Sequence, residues 1–188
     1  MEVLLSKGPQ SFTLLGEKLV LWANGNGEPA AAEDRCCHRS AALSCGVVKD
    51  GGIQCPYHGW TFNDEGRCIK VPQGRGAISE RYRIRAFACK QKYGYAWVCL
   101  GEPLSDIPDF PEANNKDYRS FPCFYEQWNT SSMRVMENEL DMAHFAFVHT
   151  GTFGNPMAPN PLSLEITDLG PFSLRLKSDL DVVAARRE

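Results

Sequence analysis

Apolar and polar positions alternate in short runs along the first hundred residues. Ser11 to Ala23 reads as two short strands around Gly16. Asn24-Gly25-Asn26-Gly27 is a hairpin turn, because Asn and Gly tolerate positive φ. Ala30 to Asp34 pairs back. Val47-Val48 and Ile53-Gln54 flank the turn Asp50-Gly51-Gly52, and Thr61-Phe62 and Cys68-Ile69 flank Asn63-Asp64-Glu65-Gly66. Tyr82 to Cys89 and Tyr95 to Leu100 complete the set. Many short strands with glycine-rich turns predict a small antiparallel β domain over residues 1–103. Residues 104–125 follow as a proline-rich linker or wrapping loop, since Pro103, Pro108, Pro111 and Pro122 interrupt any regular element.

The period then changes. Met133, Met136, Leu140, Ala143 and Phe147 recur at helical spacing, which predicts a buried helix from about Ser131 to His149, capped by Thr130, Ser131 or Ser132. Asn138, Asp141 and His144 form a second, polar stripe on it. Gly151, Gly154 and three prolines end it, and strand-like alternation returns at Ser173 to Lys177. Residues 126–188 are thus a second region with both helix and strand.

Composition narrows the function classes. The 188 residues carry a net charge of −3, which argues against a general nucleic-acid surface. No run of eighteen apolar residues predicts a membrane span, and Met1 to Lys7 lacks the basic start and apolar length of a secretory signal.

The chemistry is concentrated at Cys36-x-His38, sixteen residues, then Cys55-x-x-His58. Two thiolates and two imidazoles on two short loops are what a [2Fe–2S] cluster needs when histidines replace two cysteines on one iron. Zinc also takes two cysteines and two histidines, but in pairs spaced C-x2–4-C and H-x3–5-H, which these are not. With Cys36 and Cys55 assigned, Cys37, Cys45, Cys68, Cys89, Cys99 and Cys123 read as reduced thiols, which places the chain in a reducing compartment, the cytoplasm or a plastid.

A second set lies downstream. His144 and His149 would sit about 140° apart on an ideal helix, so both reach one metal only if the last turn is frayed or bent. Two histidines with a carboxylate form the facial triad of mononuclear non-haem iron(II) sites.

These motifs resemble a known family. The first is similar to a Rieske iron–sulfur domain, with Cys36, His38, Cys55 and His58 as cluster ligands. Ala41 and Tyr57 occupy the positions where some respiratory Rieske proteins carry a disulfide, so that brace is absent. Asn138-x2-Asp141-x2-His144-x4-His149 resembles the iron-binding motif of Rieske non-haem iron oxygenases of the α-subunit type, which include aromatic-ring-hydroxylating dioxygenases and Rieske monooxygenases. The resemblance implies an antiparallel β sandwich with two cluster-binding loops, followed by the incomplete start of an α+β helix-grip catalytic domain. It implies His144 and His149 as iron ligands, with Asn138 near the iron. Asp141 would orient His144 and bridge to a cluster histidine, His58 of the partner subunit. Electrons would come from a reductase or ferredoxin, O2 would be activated at the iron, and a small organic substrate would be hydroxylated or demethylated in a homotrimer. The family's third iron ligand, a downstream Asp or Glu, has no good candidate in Asp168, Asp179 or Asp181. The chain therefore reads as an N-terminal fragment or truncated product, begun one strand late. The competing functional reading is a Rieske ferredoxin-like electron carrier, which leaves Asn138 to His149 unexplained.

Overall fold

The computed structural model describes residues 1–121, 126–171 and 173–183. They fall into two units, Met1–Phe121 and Pro122–Glu188.

The first unit opens with a short helix, α1 (Glu2–Lys7), and three strands, β1 (Gln10–Leu14), β2 (Glu17–Ala23) and β3 (Pro29–Glu33). Leu15 and Gly16 both take positive φ, 49° and 86°, so the β1–β2 turn is the tight two-residue hairpin expected around Gly16. A second group follows: β4 (Val47–Lys49), β5 (Gly52–Gln54), β6 (Thr61–Phe62) and β7 (Cys68–Lys70). β8 (Ala86–Lys92) and β9 (Tyr95–Cys99) then return to the first group. Two antiparallel sheets result, ordered β1-β2-β3-β8-β9 and β4-β5-β6-β7. Regular pairing in β8 begins later than the sequence suggests. Tyr82 to Arg85 stay irregular, held by one bridge between Arg67 and Arg83.

The two-residue side-chain period of β2 explains the core. Val20 and Trp22 face one way, with Ala30 and Ala32 of β3, Ile53, Phe62 and Cys68 of the second sheet, and Cys36, Cys55 and Trp60. Leu19 faces the other way, against Ala31 and Phe87. The first core is therefore shared between the two sheets and the two loops that carry the Cys/His motif. Gly46 is needed where it stands, because a Cβ there would collide with the Gln54 carbonyl.

Residues 104–121, expected as part of a linker, belong to the first unit, and residues 106–110 are tied by hydrogen bonds to β8 and Tyr93. Lys92 Nζ donates to the Ile107 carbonyl at 3.2 Å, and the Phe110 amide donates to Tyr93 Oη at 2.7 Å. The rest of that expected linker, residues 122–125, lies outside the described residues, as does Cys123. The seven described cysteines are all free thiols. Among the described residues no helix is long and apolar enough to cross a membrane.

The second unit corrects the expected long helix. α2 spans Ser132–Leu140, with the Ser131 side chain accepting from the Arg134 amide as a cap. It stops at Asp141, whose carboxylate accepts the Ala143 amide at 2.9 Å. An aspartate that bonds the backbone two residues on offers the chain a turn in place of the next helical bond. A single further turn, α3 (Phe145–Val148), follows. Asn138, Asp141 and His144 therefore do not form one stripe on one helix. Nor is the helix buried: Met133, Met136, Leu140 and Phe147 are all exposed. β10 (Ser163–Asp168) and β11 (Leu174–Asp179) then form an antiparallel hairpin.

Candidate metal centres

The two Cys/His loops are built alike. The Cys36 amide donates to the Ala41 carbonyl at 2.9 Å, and the Cys55 amide to the Trp60 carbonyl at 2.8 Å. In return the Ser40 amide donates to the Cys36 carbonyl, and the Gly59 amide to the Cys55 carbonyl. The fourth residue after each cysteine takes positive φ, 58° at Ser40 and 74° at Gly59. Each loop thus turns its cysteine inward and its histidine outward by the same backbone device. At Gly59 a Cβ would also sit 3.1 Å from Pro72 Cγ.

The four side chains arrive as two pairs. Cys36 and Cys55 are both buried, in the same core. The His38 and His58 rings lie 4.7 Å apart, centroid to centroid, at 57°. Among the described residues no three Cys, His, Asp or Glu side chains converge on one point. A two-iron cluster does not ask for that, since each iron takes only two protein ligands. The electrostatics fit as well. Burial pushes the Cys36 thiol up to about 11, with the neighbouring Cys55 adding to the rise. A bound iron supplies the positive charge that a buried pair of thiolates lacks. Desolvation holds the His38 imidazole below its ordinary value, with His58 and Arg39 acting the same way, so the ring is readily neutral as a metal ligand must be.

Several groups support these ligands; Trp60, directly after the second loop, is one the sequence points to, whereas Gln73, Asp34 and Ser44 are not. Trp60 is stacked flat on His38, 4.5 Å away at 5°. Gln73 Nε2 donates to the His58 carbonyl at 2.9 Å. Asp34 accepts from the Ser44 amide at 2.7 Å and the Ser44 hydroxyl at 2.6 Å, tying the start of the first loop to the turn Leu43–Cys45. The one local signal for Gln73, Asp34 and Ser44 was an aspartate next to a turn.

In the second unit, His144 and His149 bracket α3, one before its first turn and one after its last. The break at Asp141 and the shortness of α3 bring their rings to 5.4 Å, which a continuous helix would not do. Asp141 Oδ2 stands 3.7 Å from His144 Nδ1, and that nitrogen is buried without a hydrogen-bond partner. An orphaned buried nitrogen beside a second imidazole is a donor set open to a metal ion or to reorientation by the carboxylate. Phe153 stacks on His149 at 4.9 Å. Gly154 lets this loop close, since a Cβ there would strike the Phe145 carbonyl. Asn138 is exposed and is not brought into the group. Asp168 and Asp179 are occupied within the hairpin, by the Gly170 amide and the Ser163 hydroxyl.

Comparison with known proteins agrees with this division. Residues 2–87 match the Rieske [2Fe-2S] domain, and residues 128–171 match the vanillate O-demethylase oxygenase C-terminal domain. Methylxanthine N3-demethylase NdmB of Pseudomonas putida is 42% identical over 156 residues, which is 79% of this chain and 44% of that protein. The oxygenase component of dicamba O-demethylase from Stenotrophomonas maltophilia is 34% identical over 149 residues, 77% of this chain and 44% of that protein. The solved structure of Pseudomonas putida NdmA with caffeine superposes with a TM-score of 0.75 at 36% identity, covering 84% of this chain and 46% of that one. The chain spans about half the length of the curated relatives it matches. Both regions match in the order that a cluster domain and a following oxygenase domain require, and the chain accordingly belongs to the Rieske non-haem iron oxygenases.

Proposed function

We propose that this chain is the electron-accepting part of an O2-dependent oxygenase that hydroxylates or demethylates a small organic substrate. When bound, the [2Fe–2S] cluster stores one electron and a mononuclear non-haem Fe(II) supplies O2 activation. Cys36 and Cys55, inside the fold, would hold one iron of the cluster, and the outward-turned His38 and His58 would hold the other. Trp60 fixes the His38 ring by covering one of its faces. His144 and His149 hold the mononuclear iron, and Asp141 orients His144. The relatives' names point to N- and O-demethylation of small aromatic compounds, and a reductase or ferredoxin is the electron source. A homotrimer, in which Asp141 meets His58 of the partner subunit, completes the electron path, and a reducing compartment such as the cytoplasm suits the free thiols. The observation that carries this reading is the pair of matched loops with thiols inside and imidazoles outside.

Iron and acid-labile sulfide analysis of the purified chain tests it. Two irons with sulfide and a visible Rieske absorption are expected, both lost in Cys36→Ser. A third iron, lost in His144→Ala with the visible spectrum intact, is expected from the second site. Two irons only, unchanged by His144→Ala, would favour a simple electron carrier. Zinc without sulfide would overturn the cluster assignment.

A further inference from the structure

His38 does not end in solvent alone. Its ring lies against Trp60, and Trp60 lies against Tyr82, 4.8 Å between centroids at 44°. Trp60 is buried, while Tyr82 is 41% exposed. Three aromatic rings in successive contact thus run from a proposed cluster ligand to the surface. Tyr82 is placed by the irregular stretch before β8, where its carbonyl accepts the Cys68 amide at 2.9 Å.

The surface at that end is predominantly basic. Residues 71–85 contain four arginines, Arg75, Arg81, Arg83 and Arg85, against a single acid, Glu80, in a chain whose net charge is −3. Arg81 and Arg83 flank Tyr82 directly, and both are exposed. Neither makes an ion pair among the described residues, whereas Arg85 is 4.0 Å from Glu17. Arg67, itself paired with Glu65 at 3.3 Å, is brought beside Arg83 by the bridge between them. An exposed aromatic ring whose chain neighbours on both sides are exposed, unpaired arginines is a surface suited to an anionic protein partner. Arginine and tyrosine are the side chains that anchor such contacts, and unpaired charge steers the encounter.

We propose that Tyr82, with Arg81 and Arg83, is the docking point for an acidic one-electron carrier, and that Trp60 couples it to His38. One electron leaves the carrier's reduced iron–sulfur centre, which is thereby oxidised, and reduces the [2Fe–2S] group held by His38 and His58. No bond forms or breaks, no proton needs to move, and the rings serve as contacts without being reduced themselves. The proposal rests on the cluster assignment above and goes beyond it by naming the entry face and the charge of the donor.

The test uses the cluster-loaded chain and an acidic plant-type [2Fe–2S] ferredoxin, with dithionite as a small, non-docking reductant. Binding is read by interferometry, independently of catalysis, and cluster reduction by stopped-flow absorbance. The doubly charge-reversed variant Arg81→Glu/Arg83→Glu is expected to lose at least about tenfold in ferredoxin affinity and second-order reduction rate at low salt, and to converge with the parent at high salt. At high salt, where charge is screened, its reduction by dithionite stays unchanged. Tyr82→Leu is expected to bind ferredoxin but to reduce more slowly at saturation, and Tyr82→Phe, which keeps the ring, to restore the parent rate. Parent-like affinity in the charge-reversed variant, or equal saturating rates for Tyr82→Leu and Tyr82→Phe, overturns the docking proposal while leaving the cluster assignment intact. A purified chain without sulfide or Rieske absorption overturns the assignment itself, and the relay with it.

Discussion

The two units of this chain spend similar residues very differently. In the first, Leu19, Val20, Trp22, Ile53 and Phe62 are completely buried, and the cluster loops are anchored in the same core as the sheets. In the second, Ala146 is the one buried hydrophobic residue among those described, while Ile166 is 63% exposed and Val148 70%. The first site is held by a packed core, where a displaced side chain meets neighbours on every side. The second is held locally, by the Asp141 turn, one turn of helix and the loop at Gly154. A nine-residue helix and a lone two-stranded hairpin are each marginal in water. The two donor sets differ in their mechanical support.

That contrast has measurable consequences. Trp22→Ala removes a fully buried ring and should cost about 3–5 kcal/mol of first-unit stability, seen as a lower denaturant midpoint for loss of the cluster absorption. Met136→Ala, on the exposed face of α2, should shift any transition by less than about 0.5 kcal/mol. Equal costs would break the comparison. Asp34→Ala removes two short hydrogen bonds to Ser44 and should cost about 1–3 kcal/mol, with faster bleaching of the cluster by a chelator and no change at His144. Ser131→Ala removes the α2 cap and should cost about 1 kcal/mol. Amide exchange should then speed up in α2 while β2 and β3 keep their protection.

A pH-dependent effect concerns Cys89, whose thiol burial pushes up from 9.0 to about 11. The folded chain holds that proton more tightly than the unfolded one. The stabilisation is therefore full below about pH 9 and is lost as pH rises toward 11. Denaturation at mildly and strongly alkaline pH should show this loss in the parent and a flatter dependence in Cys89→Ala. At mildly alkaline pH iodoacetamide should label exposed Cys45 well before Cys89.

Much of the first unit was legible from local signals. The turns at Gly16 and at Asn24 to Gly27 follow from residues that accept positive φ, and the strands from two-residue alternation. The start of β8 was placed too early, because Tyr82 to Arg85 alternate like a strand but find only one bridging partner, Arg67. The helix at Ser131 was misread for a related reason. Methionine, leucine and phenylalanine at helical spacing continue past Asp141, yet the aspartate side chain captures the Ala143 amide and ends the helix. Periodicity registers the apolar residues and is blind to that competition. The same blindness predicted a buried stripe where the structure shows an exposed one, since spacing says which residues share a face but not whether anything covers it.

By itself the sequence determined the donor chemistry and its grouping: Cys36 with His38, Cys55 with His58, and His144 with His149 beside Asp141. These depend on residue type and short spacing, which the chain carries without folding. The tertiary structure decided everything that depends on meeting across distance. It put Cys36 and Cys55 in one core and His38 against His58, set Trp60 between His38 and Tyr82, and brought Arg67 beside Arg83. Such contacts are products of sheet pairing between segments far apart in the chain, and no local pattern encodes which distant partner wins.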